Sequence, residues 1–378
     1  MTVELVECDA SPNLLPRAAV KELAARLLCA VGVPAFARWR RSRRLAILMF
    51  HGIEGEPLSP PCSYVLDAAT LRRELKYVRR HFRVLPLDEA LERLHDGTLP
   101  RRAAALTFDD GTRNLAIHAA PVLRDLELPA AVFLATGPMG TGEALWPDRL
   151  WLAFSRTKVP EVDLTAAGLG KFSLRSPADR NQTRDAAVEH FKHLPDAERI
   201  ARVEWLVAAL GPEFDAYGGP FQMLSWEEAR VLASDGRVTL YPHSVTHPIL
   251  SRCSDEKVEY EISESCLAIE RETGGAPEIF AYPNGGVQDF DQRARSALHR
   301  NGVRWALSTT NGFADRDSDP LALPRIGIAS QHSFALFRLK VSGFELRLRP
   351  FRTNPRRRSA RAAIPQVDEA QPGALPRL

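Results

Sequence analysis

Nine residues, Ala103 to Gly111, limit the folds open to this chain more than any others. Ala103-Ala104-Ala105-Leu106-Thr107-Phe108 is a small, apolar run of strand length, broken without transition by Asp109-Asp110-Gly111. Such a run belongs inside a fold. A carboxylate is costly to bury unless a cation, a metal or several donors meet it. Two of them at the end of a buried strand therefore call for positive charge at that point. Gly111 supplies the backbone freedom to turn away there. The competing reading is a solvated strand-to-helix turn with an aspartate as the helix cap.

A second cluster bears on that choice. His243-Ser244-Val245-Thr246-His247-Pro248 follows Val238-Thr239-Leu240-Tyr241, whose composition reads as a strand. Pro242 and Pro248 disfavour helix at the residues before them, which puts both histidines on a tight loop or single turn. Three intervening residues let both imidazoles face one point. Two neutral histidines and a carboxylate, with positions left for water, make the usual hydrolytic zinc site. A lone histidine would more often be structural.

Together the two clusters resemble the polysaccharide deacetylase family, metal-dependent enzymes that remove N-acetyl groups from amino sugars. The family's Thr-Phe-Asp-Asp-Gly motif stands intact at Thr107–Gly111, and His-Ser-x-Thr-His stands intact at His243–His247. The stretches Met223–Glu228 and Leu232–Gly236 also resemble the helix and turn before the second motif. The resemblance covers about residues 45–343. It implies a distorted parallel (β/α) barrel of about seven strands, with the site at the strands' C-terminal ends. It also implies that Asp110, His243 and His247 hold a divalent metal, preferably zinc, and that Asp109 is the catalytic base. Nitrogen and oxygen ligands admit other divalent ions too.

Three further positions depend on this resemblance. Leu45–Phe50 is an apolar strand ending in His51-Gly52, and Phe-His-Gly-Ile is similar to the Tyr-His element of the poly-N-acetylglucosamine deacetylases. In that branch the barrel is circularly permuted, and the N-terminal histidine acts as general acid. That makes His51 the candidate acid, with His332, beyond the last strand, as its rival. The third motif, usually Arg-x-Pro-Tyr-Gly, departs here to Phe280-Ala281-Tyr282-Pro283-Asn284-Gly285. The backbone N–H of Asn284 can still serve the oxyanion. The motif's arginine, which orients the base, is replaced by Ala281 and its role is left unassigned. Leu323–Ile328 could place Arg325 at the site, but Arg325 reads more readily as a surface arginine.

Elsewhere strands alternate with helices, the pattern of parallel βα units. Leu71–Arg80 is amphipathic, a helix capped by Asp88 runs to Leu94, and Ala130–Ala135 is the strand after the Asp-Asp motif. The alternation lapses between about 137 and 222, which reads as a helical insertion. There Ile200, Val203, Leu206, Val207 and Leu210 share one side of a helix that ends at Gly211-Pro212. The expected organisation is an N-terminal helical, basic segment (1–44), a barrel (45–343) and a basic, disordered tail (344–378).

Charge is distributed unevenly. The formal total is +3, yet Arg38–Arg44 holds five arginines and Leu346–Arg361 seven, with no acid in either stretch. Without those twelve the body stands at −9. The partner expected is a carbohydrate, and nucleic acid binding through so acidic a core is not expected. The basic flanks suit peripheral contact with a membrane surface. For Ala18–Arg38, where Val20, Leu23, Ala24, Leu27, Leu28 and Val31 recur at helical spacing, two readings stay open: a helix lying on anionic lipid, or one packed on the domain. Five cysteines form no Cys-x-x-Cys pair, no apolar stretch is long enough to span a bilayer, and Glu4, Glu7 and Asp9 precede any long apolar segment. A cytoplasmic setting follows as the expectation, with the inner face of the membrane within reach. Two alternatives to a sugar deacetylase remain: a catalytically silent carbohydrate-binding relative and a hydrolase of a non-sugar amide.

Overall fold

A computed structural model describes residues 2–5, 17–211 and 219–348. Seven parallel strands carry the fold: β1 (Ala46–Phe50), β2 (Ala103–Phe108), β3 (Ala130–Leu134), β4 (Val238–Pro242), β5 (Ile279–Ala281), β6 (Trp305–Asn311) and β7 (Leu323–Gly327). Their order around the sheet follows the chain, and β7 returns to pair with β1. The ladder is interrupted between β4 and β5, so the barrel is nearly closed with one seam. The short strand Arg83–Val84 adds to the beginning of β2.

Every residue of β1, β2 and β3 is buried, as expected of parallel strands covered on both faces. Alternation along the strands separates two cores. Ile47, Ala105, Phe133, Tyr241, Ala281, Leu307 and Leu323, drawn from all seven strands, form one cluster inside the barrel. The helix Leu87–Asp96 joins it beside Leu45 and Ala103, where β1 and β2 begin. Leu48, Phe50, Leu106, Phe108 and Val132 face outward onto the helical layer, including Leu71, Leu75 and Val78 of the helix Ala68–His81.

Several local expectations need correction. The periodic segment after Ala18 is not one helix: it breaks into α1 (Arg17–Ala30) and α2 (Val33–Arg40) at Gly32, whose φ of 83° is left-handed. The helix expected to be capped by Asp88 starts at Leu87 with Pro86 as N-cap, so Asp88 lies in its first turn. Between β3 and β4, α3 (Trp146–Arg156) and the helices Pro177–Phe191 and Asp196–Leu210 close over their own core, with Leu150, Phe154, Phe191 and Leu206 at its centre. Ile200, expected on the buried side, is exposed. Beyond the barrel, α4 (Asp255–Thr273) follows β4 and α5 (Phe334–Val341) follows β7. The tail expected to be disordered from residue 344 instead begins with a strand, Glu345–Leu348, that pairs with Thr2–Leu5, and its remainder from residue 349 lies outside the described residues. Cys29, Cys62, Cys253 and Cys266 are buried free thiols.

Candidate metal centre and active site

Parallel registry brings the chemistry to one end of the barrel. The Asp109 N–H donates to the Phe50 carbonyl at 3.0 Å, which sets the aspartates level with His51, the residue after β1. One pair of strands further, the His243 N–H donates to the Leu134 carbonyl at 2.9 Å, just past the end of β4. Asn284 follows β5 by three residues. The backbone there is strained. Among the described residues six non-glycine positions have positive φ, and four of them are Asp110 (75°), Ser244 (65°), His247 (58°) and Asn284 (59°). Such conformations cost about 1–3 kcal/mol each and gather at functional sites. Gly111 has φ 84°, and a Cβ there would lie 2.6 Å from Leu134 Cδ2.

Asp110, His243 and His247 are all buried and offer ligand atoms within 4.8 Å of one another. Asp110 Oδ1 lies 3.6 Å from His243 Nε2 and 3.4 Å from His247 Nε2, and it is buried with no hydrogen-bond partner. Those spacings are long for hydrogen bonds. Two donors bound about 2.1 Å from one ion at a tetrahedral angle would lie about 3.4 Å apart. The group therefore fits a divalent metal. Burial first opposes ionisation of Asp110, but the imidazoles of His247, His51 and His243 hold its carboxyl well below the usual range. His243 is driven down to about 4, chiefly by burial, which keeps its ring neutral, as a ligand must be.

The rest of the protein fixes these ligands. His243 Nδ1 donates to the Ala281 carbonyl at 2.7 Å, across the seam between β4 and β5, leaving the Nε2 lone pair free. Fully buried Glu261 on α4 accepts from the Val245 and Thr246 N–H groups, each at 2.8 Å, and from Thr246 Oγ1 at 2.6 Å. Lys257 Nζ balances its charge at 2.9 Å. The left-handed turns at Ser244 and His247 are thus held from outside the loop.

Asp109 has a different environment. Both of its oxygens accept from Arg325, at 2.7 Å each, and Arg325 Nε donates to the Ser308 carbonyl at 2.9 Å. Arg325 is completely buried, which overturns its reading as a surface residue. The signal was present in Leu323–Ile328: a cation in an apolar strand needs a carboxylate as much as a buried carboxylate needs a cation. Burial alone would raise the Asp109 carboxyl, but Arg325, with help from His243 and His51, holds it below the ordinary value. It stays ionised, as a base requires.

His51 is half-buried, with a buried Nδ1 that lacks a hydrogen-bond partner, and it influences both aspartates. His332 lies apart. Its Nδ1 accepts from the Ala329 N–H, and it borders a surface cleft with Lys21 and Lys340. The Asn284 side chain is half-buried, its carbonyl accepts from Thr309 Oγ1 at 2.7 Å, and no acceptor among the described residues takes its N–H. Asp148, on α3, went unnoticed in the sequence. It is buried, accepts from Tyr64 Oη at 2.7 Å, and is pushed well up by burial and by Asp110 nearby. A lone acid between Trp146 and Trp151 in an apolar run was its only signal.

Residues 185–306 match the family model described as polysaccharide deacetylase, a span that includes His243, His247 and Asn284 but begins after the Asp-Asp motif. Among solved structures, the fold is similar to the Streptococcus pyogenes deacetylase PplD in complex with acetate, at 16% identity over 76% of this chain and 93% of that one, TM-score 0.50. It is also similar to IcaB from Ammonifex degensii, at 16% identity over 79% and 96% of the two chains, TM-score 0.51. No curated protein matches the chain.

Proposed function

We propose that this chain, whose residues 185–306 match the polysaccharide deacetylase model, is a hydrolase of carbon–nitrogen bonds other than peptide bonds that removes N-acetyl groups from an N-acetylated amino sugar or polysaccharide with the help of a divalent metal. The observation that carries this reading is the pairing of two adjacent aspartates with opposite surroundings, Asp110 facing two imidazoles and Asp109 clamped by Arg325. Asp110, His243 and His247 would hold the metal, which when bound supplies the Lewis acidity that polarises the amide carbonyl and acidifies water. Zinc is the preferred ion for this donor set.

Asp109 takes the proton of the attacking water. The Asn284 N–H donates to the carbonyl oxygen as it gains negative charge. His51 gives a proton to the departing nitrogen as the carbon–nitrogen bond breaks, so that acetate and a free amine leave. A protein that only binds sugar would have no use for a buried carboxylate kept ionised by a buried arginine. The test is acetate release from N-acetylated oligosaccharides by the full chain, with and without chelator. Release that stops with chelator and returns with added metal supports the reading, and release indifferent to chelator refutes it. A His243→Ala protein should lose stoichiometric metal while staying folded, and undiminished metal content would overturn the ligand assignment.

A further inference from the structure

Twelve large apolar side chains are markedly exposed among the described residues, and five of them fall between residues 23 and 39, on α1, α2 and the turn that joins them. Leu23 and Leu27 of α1 are 52% and 59% exposed, and Val31, four residues further in the turn after α1, is 76% exposed. Phe36 and Trp39 follow on α2 at 48% and 64%, their rings 5.9 Å apart. The opposite side of α1 has its partner already: Ala25 and Cys29 pack with Leu339 of α5 and with Phe344. The reading of a helix packed on the domain therefore holds for the inner face, and the outer face has no cover among the described residues. The other seven exposed apolar residues are scattered singly over the barrel and the insertion, as on any surface.

Charge says what the cover is. Residues 17–44 hold eight basic side chains and a single acid, Glu22, a net charge of +7. Glu22 is taken by Arg26 at 2.7 Å. Arg38, Arg41 and Arg44 are held by the protein, through Tyr77, the Gly343 carbonyl and Asp315. Arg40 and Arg43 stand exposed, with no partner among the described residues. An apolar stripe bearing a tryptophan, edged by free arginines, is the composition that seats a helix in the interface of an anionic bilayer. A second copy related by twofold symmetry would bring +7 against +7.

We propose that α1 and α2 dock the protein on an anionic phospholipid surface, with Leu27, Val31 and Trp39 in the acyl boundary and Arg40 and Arg43 on the headgroups. The arginines precede β1 and His51 follows it, so the basic end is one strand length, about 17 Å, from the site's end of the barrel. Docking there leaves the site's mouth free. The inference does not depend on the deacetylase reading, since none of these residues touches the metal group.

The test is sedimentation of the full chain with vesicles of phosphatidylglycerol and phosphatidylcholine in equal parts, and with phosphatidylcholine alone. The protein should follow the first and remain in solution with the second. Neutralising an arginine near the surface should weaken binding about fivefold, so Arg40→Gln with Arg43→Gln should weaken it roughly 25-fold. Leu27→Glu with Val31→Glu should abolish it, and acetate release from a soluble oligosaccharide should be unchanged in both. Equal binding to both vesicle types, no binding, or binding that survives the glutamates overturns the proposal. So does a dimer in sedimentation velocity that Leu27→Glu dissolves, which would make the stripe a contact between copies.

Discussion

Replacing Arg325 by leucine tests the central electrostatic claim with a magnitude attached. In the native protein Arg325 gives two donors to Asp109 and one to the Ser308 carbonyl, and neither charged group reaches solvent. Arg325→Leu leaves a buried carboxylate without its cation, a change that typically costs about 3–5 kcal/mol. A ceiling follows from protonation. The variant can escape the buried charge by binding a proton, which at pH 7 costs about 1.36 kcal/mol for each unit between 7 and the unfolded value near 3.9, or about 4 kcal/mol. The penalty should therefore shrink by about 1.4 kcal/mol per pH unit on acidification and fade near pH 4. The sign differs in the native protein. There the folded Asp109 is lowered, so its contribution is present above the unfolded value and is lost as pH falls through the folded one. Urea unfolding of both proteins at several pH values reads the gap directly. If the variant is too unstable at pH 7, pH 5 leaves a gap of only about 1.5 kcal/mol. The acid limb of kcat/KM should also move to higher pH, and Arg325→Lys, which keeps the charge but loses the fork, should fall between the two. A gap independent of pH together with an unmoved acid limb would refute the assignment of Asp109 as a base held ionised by Arg325.

The two aspartates should separate in a second experiment. Asp109→Asn should keep stoichiometric metal and lose about 10²- to 10⁴-fold in turnover, whereas Asp110→Asn should lose metal as well; equal metal loss in both would contradict the division of roles. His51→Ala should bind metal normally and lower kcat by about 10²- to 10⁴-fold, and a rate within threefold of native (roughly 0.6 kcal/mol) would reassign the acid. Glu261→Ala should weaken metal affinity about 10- to 100-fold by releasing the loop between the two histidines, measured by titration against a chromogenic chelator. Unchanged affinity would show that the turns at Ser244 and His247 hold themselves.

The barrel was legible in the sequence because its strands are buried on both faces, and burial on both faces writes continuous apolar runs such as Ala46–Phe50 and Ala130–Leu134. The cluster of Asp110, His243 and His247 was legible because the aspartate pair and the first histidine each come directly after such a run, and the second histidine returns four residues later. Arg325 was not, because a single arginine gives no sign of its partner when that partner, Asp109, stands 216 residues away. Asp148 was hidden for a related reason: its hydrogen bond from Tyr64 depends on how the insertion folds back, and periodicity carries no record of that. The break at Gly32 was a misjudged local term. The apolar spacing of α1 continues into α2, but the left-handed residue between them stops the helix.

Two adjacent carboxylates can serve one site only because the chain turns at the second of them, just past the end of β2 at Phe108. On a regular strand Asp109 and Asp110 would point to opposite faces, one into the barrel and one into the helical layer. Asp109 keeps the inward direction and meets Arg325, whose guanidinium also lies over the Phe133 ring of the barrel interior. Asp110 would then belong to the helical layer, away from His243 and His247. Its φ of 75° breaks the alternation, and its carboxylate comes within 3.6 Å of both imidazoles instead. His243 influences both aspartates, which places the two acids on one side of the barrel mouth. The distortion costs about 1–3 kcal/mol, and the Asp110 carbonyl is tied down by the Ala135 N–H at 3.2 Å while the next residue is the glycine that can follow such a turn. A motif of two acids and a glycine is thus a single device: one acid that keeps the inward direction of the strand before it, one that turns away, and the residue that allows the departure.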